Sequence, residues 1–122
     1  MNATDAPDHA VFTEVLESDF TLLTNITLDT DWVVQEWKVD KVASRGPYGR
    51  AMEPGNVVSN PVGEDVEFKD AGLELWAKAA DADDKYVSVS EVDSTRSDML
   101  YGSFRAGIQT TGVNGTCMAF FW

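Results

Sequence analysis

From Met99 to Trp122 the chain reads MLYGSFRAGIQTTGVNGTCMAFFW. Leu100, Gly102, Phe104, Ala106 and Ile108 fall on one side of an extended backbone, with Tyr101, Ser103, Arg105 and Gln109 on the other. A period of two is the pattern of a strand with one covered face. It is the cleanest alternation in the sequence and constrains the fold more than any other stretch. A second apolar run, ending Ala119-Phe120-Phe121-Trp122, follows a glycine-bearing turn at 112–115. Such strands need partners along their edges and a cover over at least one face. Because the chain is still strongly hydrophobic at its last residue, the expectation is an ending in mid-fold.

The preceding sequence repeats the theme of short β-like runs and turns. Phe20–Leu28 and Trp32–Val39 are rich in β-branched and apolar residues and read as strands, separated by a turn at Asp29-Thr30-Asp31. The forties and fifties carry Gly46, Pro47, Gly49, Pro54 and Gly55 and are expected to form an exposed connection. A short strand is expected at Asn56–Ser59, and a half-buried one at Gly72–Ala79, where Leu73, Leu75 and Ala77 oppose Glu74, Trp76 and Lys78. Tyr86–Asp93 alternates again, but Val87, Val89 and Val92 share a face only if a bulge follows Ser90. With no long amphipathic helix and no internal repeat, the fold class expected is all-β, an antiparallel β-sandwich. Residues 1–19 read as a polar arm, and 20–122 as one domain or one piece of one.

Composition narrows the partners. The 122 residues hold 21 Asp and Glu against nine Lys and Arg, a net charge of -12. Such a field repels phosphate backbones and anionic membranes, so nucleic acid is not an expected partner, while neutral carbohydrate is compatible. No apolar run approaches the roughly 20 residues of a membrane-spanning helix. The first residues, MNATDAPDH, have neither the basic start nor the apolar core of a signal peptide. Cys117 is the single cysteine, which excludes an internal disulfide and reads as a buried thiol or as a partner in a longer parent chain. Asn2, Asn25 and Asn114 each begin an Asn-x-Thr triplet, a glycosylation acceptor if the chain is secreted.

In so acidic a chain, paired carboxylates are the first candidates for catalysis. Glycoside hydrolysis with retention commonly uses two carboxyl groups roughly 5 to 5.5 Å apart. A Glu-x-Asp-x-Glu strand lines three carboxyl groups on one face, each about 7 Å from the next along the backbone. Here Glu91-Val92-Asp93 is followed by Ser94-Thr95, and Asp65 and Glu67 share a register in which Gly63 holds the first position. Both read as solvated turn charges, so no catalytic residue is assigned. Asp81, Asp83 and Asp84 lack the glycine that a calcium loop needs at its sixth position, which is Tyr86. His9, the single histidine, lies in the polar arm. No metal or cofactor is expected, and no nucleophilic triad can be assembled.

Tyr101-Gly102-Ser103-Phe104-Arg105-Ala106 and Gly112–Trp122 resemble the Tyr-Gly-x-Phe strand and the Gly-Thr and Ala-Phe-Phe segments of glycoside hydrolase family 16. The likeness is to the concanavalin-A-like glucanases, nearest to their fungal members. Asn56-Val57 and Gly72-Leu73-Glu74-Leu75 more weakly resemble the Asn-Val and Gly-x-Leu-x-Leu elements of that family. The resemblance implies that residues 20–122 are the N-terminal part of a jelly roll, an incomplete half-domain. It implies a parent enzyme, extracellular or in the cell wall, that hydrolyses or transfers β-linked polysaccharide with retention. The family's Glu-x-Asp-x-Glu pair would follow the segment matched by Phe121-Trp122, so the chain itself lacks it.

For substrate binding the resemblance implies Asn56, and one of Phe121 and Trp122, since neighbours on a strand face opposite ways. Arg105 stands where relatives are usually acidic, and Gly107 where many carry arginine, so neither is assigned to sugar. Two alternatives to an enzyme fragment are a non-catalytic, lectin-like carbohydrate-binding module and a gene-model fragment with no function of its own. The latter would leave apolar faces uncovered and aggregate.

Overall fold

The first run expected to be a strand is bent instead by its own polar side chains. The computed structural model describes residues 12–121. In it the Asp19 carboxylate accepts from the backbone N–H and hydroxyl of Thr21 at 3.0 and 2.6 Å. Asn25 Oδ1 accepts from the same two groups of Thr27 at 3.0 and 2.8 Å. Such local side-chain acceptors compete with sheet pairing and favour turns. Phe20–Leu28 therefore contains a turn and then a 3₁₀ helix at Ile26–Leu28, not a strand.

Among the described residues there are seven short strands and no helix longer than three residues, an all-β architecture. The strands are β1 Trp32–Val34, β2 Trp37–Val39, β3 Gly49–Met52, β4 Val57–Asn60, β5 Gly72–Leu75, β6 Tyr86–Val89 and β7 Val92–Ser94. They form three small sheets: β1 with β7, β2-β3-β6, and β4 with β5. Three of the four pairings are antiparallel, whereas β3 and β6 run parallel. The expectation of a wholly antiparallel arrangement is corrected at that pair. A parallel pair needs a long crossover, and here the β4–β5 hairpin lies inside it.

The expected bulge after Ser90 is also replaced. The β6 strand stops at Val89 and β7 begins at Val92, so the chain changes sheet across Ser90-Glu91. The expected single strand Trp32–Val39 breaks likewise at Gln35-Glu36, and Gln35 N–H donates to the Glu91 carbonyl at 3.0 Å. The two breaks are thus bonded to each other, and each strand feeds two sheets, as strands do when they turn a corner.

Gly49–Met52 overturns the expectation of an exposed connection: β3 is the middle strand of its sheet, with Gly49, Ala51 and Met52 buried. Gly49 serves close packing and not a turn. A Cβ on Gly49 would collide with the Val39 carbonyl oxygen and the Tyr86 ring. The apolar core comprises Ile26, Ala51, Met52 and Val57. Ile26 N–H donates to Ser59 Oγ at 2.9 Å, which fixes the 3₁₀ turn over one face of β4. Trp32 packs on Phe20 with centroids 5.5 Å apart, and its indole N–H donates to Ser18 Oγ at 2.8 Å.

The described chain divides into two units, residues 18–97 and residues 12–17 with 98–121. All strands lie in the first. In the second, the alternation at 100–109 and the run at 117–121 form no strand, correcting the strands expected there. Leu100, Ile108 and Phe120 are at least half exposed. Alternation encodes which face a strand would cover but not whether another strand lies alongside it, and the three sheets of the described residues do not include this segment. Cys117 is an exposed free thiol, which corrects the buried reading for the same reason. Among the described residues no helix is long and apolar enough to cross a membrane.

The close approach at Gly49 yields a stability test. Gly49→Ala should lower unfolding free energy by about 1–3 kcal/mol, because one colliding atom is backbone and cannot swing aside. Gly63→Ala, where an added Cβ meets nothing within 4 Å, should stay within about 0.5 kcal/mol. Urea midpoints of the two variants and the parent provide the measurement.

Candidate functional site

Asn56 closes a one-turn 3₁₀ helix, Pro54–Asn56, that leads from β3 into β4. Proline at the start of the turn fixes the backbone for it, and Asn56 N–H donates to the Glu53 carbonyl at 2.9 Å. The turn delivers the Asn56 side chain into the interior, where it is 0% exposed. Its amide donates to Ser88 Oγ at 2.7 Å and to the Val89 carbonyl at 3.0 Å. Ser88 Oγ in turn donates to Glu53 Oε2 at 2.6 Å. The Asn56 carbonyl accepts from Trp76 N–H at 2.8 Å. One residue thereby ties the start of β4, the continuation of β5 and the end of β6. The side-chain Oδ1 is buried with no partner.

The structure therefore places Asn56 as an internal brace. Phe121, the second residue assigned from the sequence, is 79% exposed and belongs to the other unit. Trp122 lies outside the described residues, as does His9. The acidic near misses stand apart, and Glu91, expected to be a solvated turn charge, is instead half-buried with its Oε2 enclosed at the corner between β6 and β7. Asp65 and Glu67 are exposed, and Glu67 pairs with Lys69 at 3.2 Å. Asp84 spends its carboxylate on the Asp81 N–H at 2.8 Å, closing the turn. Among the described residues no group of three or more His, Cys, Asp or Glu is arranged to hold a metal ion.

Sequence reasoning missed three side chains that converge on one face of the β4–β5 hairpin. In its register Val58 is opposite Glu74 and Asn60 opposite Gly72. Glu74 Oε1 accepts from the Asn60 amide at 3.0 Å, and Oε2 accepts from the Trp76 indole N–H at 2.9 Å. Trp76 remains 52% exposed. The signal was present in the alternation, which puts Glu74 and Trp76 opposite Leu73 and Leu75. A tryptophan on the polar side of a strand was the clue.

A third cluster surrounds Tyr86, whose hydroxyl donates to Asp40 Oδ1 at 2.6 Å while Lys38 Nζ stands 5.5 Å from the ring centroid. The hydrogen bond to Asp40, and then the negative charge of that carboxylate, raise the phenol above its ordinary value of 10.0. An open hollow of about 360 Å³ is lined by Asp40, Lys41, Pro47, Asp84, Lys85 and Tyr86. Its two lysines face two aspartates, which leaves it without a marked preference for either sign of charge.

No family model, curated protein or solved structure matches the chain.

Two measurements follow from this geometry. Asn56→Ala should cost about 1–3 kcal/mol of stability by removing two buried hydrogen bonds. Asn56→Asp should cost more, since it buries a carboxylate one hydroxyl away from Glu53; chemical denaturation of both variants checks the order. For Tyr86, a folded-state pKa raised above the unfolded value means a contribution present below about pH 10 and lost as pH rises through the folded value. The 295 nm titration of the parent minus that of Tyr86→Phe should show a phenolate midpoint above 10.0. Asp40→Asn should return the midpoint toward that value.

Proposed function

We propose that residues 20–122 form the N-terminal part of a jelly-roll β-sandwich of the glycoside hydrolase family 16 type. On this proposal the parent protein works outside the cell or in the cell wall. It hydrolyses or transfers β-linked polysaccharide with retention of configuration, and this chain supplies framework and sugar contacts rather than catalytic carboxylates.

The observation that carries the proposal is the register of β4 on β5. Val57 pairs with Leu75 and Ser59 with Leu73, so the Asn-Val and Gly-x-Leu-x-Leu elements, 15 residues apart in sequence, are hydrogen-bonded neighbours. Two separated motifs of one fold should meet in this way if both belong to its sheet. The exposed Phe120 and Phe121 are consistent with a surface that further strands of a sandwich would cover.

A retaining mechanism needs one carboxylate to attack the anomeric carbon and a second to protonate the leaving oxygen and later activate water. We assign neither role within this chain. Glu67 is exposed beside Lys69, and Glu91 sits at the corner where β6 passes into β7.

Sequencing the transcript beyond the Trp122 codon and expressing the extended chain tests the proposal. The expected result is a Glu-x-Asp-x-Glu strand and release of β-configured ends from a β-glucan, observed by proton NMR. Glutamine at either glutamate should abolish that release. A stop codon after Trp122, or an extension without the motif and without hydrolysis, overturns it. Oligosaccharide binding without hydrolysis would point instead to a non-catalytic, lectin-like module.

A further inference from the structure

The β4–β5 hairpin has two unlike faces. One carries Ser59 and is fixed to the Ile26–Leu28 turn. The other carries Val58 and Asn60 from β4, with Glu74 and Gly72 opposite them, and Trp76 follows two residues after Glu74. This second face is open: Val58 is 41% and Trp76 52% exposed, and space lies free where a Cβ would stand on Gly72.

Its polar groups are held by one another. Glu74 accepts from Asn60 with one oxygen and from the Trp76 indole with the other, at 3.0 and 2.9 Å. Asn60 also donates to the Asp70 carbonyl at 3.1 Å. Trp76 is fixed a second time, through its backbone N–H on the buried Asn56 at 2.8 Å. A half-exposed indole tied at its nitrogen edge and at its main chain loses little freedom on binding, which lowers the cost of association.

The chemistry of the ledge selects its occupant. Its single indole donor is already used, so the exposed ring offers an apolar face. Glu74 meets the ring at its N–H edge and retains lone pairs for further donors, as does the Asn60 carbonyl. A ligand that fits must be flat and apolar where it covers the ring and must carry hydroxyls around its rim. A pyranose with equatorial hydroxyls has that form, with CH groups on its faces and O–H groups at its edge. A cation centred over the indole face would gain from the ring but would stand off from a carboxylate held at the edge. The net charge of -12 disfavours acidic sugars.

We propose that Trp76, Glu74 and Asn60 form a contact platform for a neutral, equatorially hydroxylated pyranose of a β-linked glucan. The choice of glycan rests on the function proposed above; the place and manner of contact rest on this hairpin.

The test titrates the 122-residue chain with cello- and laminari-hexasaccharides, followed by calorimetry and tryptophan fluorescence. Trp76→Ala should weaken binding by about tenfold or more, the equivalent of about 1.4 kcal/mol. Trp76→Phe should retain part of the affinity and lose the fluorescence change. Glu74→Gln should weaken binding less than Trp76→Ala, and Phe120→Ala, in the other unit, should leave it unchanged. Thermal melting of each variant separates lost binding from lost folding. Equal affinity in parent and Trp76→Ala, no heat at millimolar sugar, or tetramethylammonium binding at Trp76 in preference to sugar each overturns the platform. Hydrolysis by the extended chain with no dependence of binding on Trp76 would sink the platform alone. Binding that depends on Trp76, in an extended chain that does not hydrolyse, would sink the catalytic proposal alone.

Discussion

The burial of one asparagine holds the strand-bearing unit together. Asn56 has no exposed surface, yet it bonds through its amide to Ser88 and Val89 and through its carbonyl to Trp76. Apolar burial has no direction, whereas these bonds specify which strands lie side by side. In a unit whose strands are three or four residues long and whose buried apolar residues are few, that specification matters more than in a large core. A short ladder contributes few hydrogen bonds, so a buried polar link is a large share of what defines the arrangement.

The sheets are small because the strands change partners. Gln35-Glu36 and Ser90-Glu91 break two β runs at neighbouring places, and Gln35 bonds to Glu91 across the gap. One longer pair of strands thereby becomes two short pairs in different sheets. Gly49 lets β3 approach both β2 and Tyr86, placing the parallel β3–β6 pair at the middle of this arrangement. Lys78 N–H bonding to Ser88 O at 2.9 Å extends the same network beyond the regular strands.

The proposed contact surface depends on that interior. Trp76 is presented on the hairpin because Asn56 holds its main chain from below and Glu74 holds its ring from the side. A residue expected from family resemblance to line a cleft is instead fully enclosed, and the exposed aromatic ring lies one hydrogen bond away. Asn56 thus bears on the proposed sugar contact through what it positions.

Several features were legible in the residues alone. Short β-branched runs cut by Gly, Pro and Asp gave an all-β chain without long helices among the described residues, and the alternation over 72–75 placed Leu73 and Glu74 on opposite faces, although the strand expected to run to Ala79 ends at Leu75, which is half exposed. Local pattern did not decide whether Asp19 and Asn25 would curl their neighbours, since a side-chain oxygen that bends the chain locally competes with sheet pairing, and that pairing depends on distant partners. Nor could it show that Gly49 and Met52 belong to a central strand, because glycine signals a turn and a close approach alike. The closing stretch shows the division most plainly. Its period of two determined which side chains would share a face if the stretch were a strand, while strand formation requires a neighbouring strand in register, which only tertiary structure supplies.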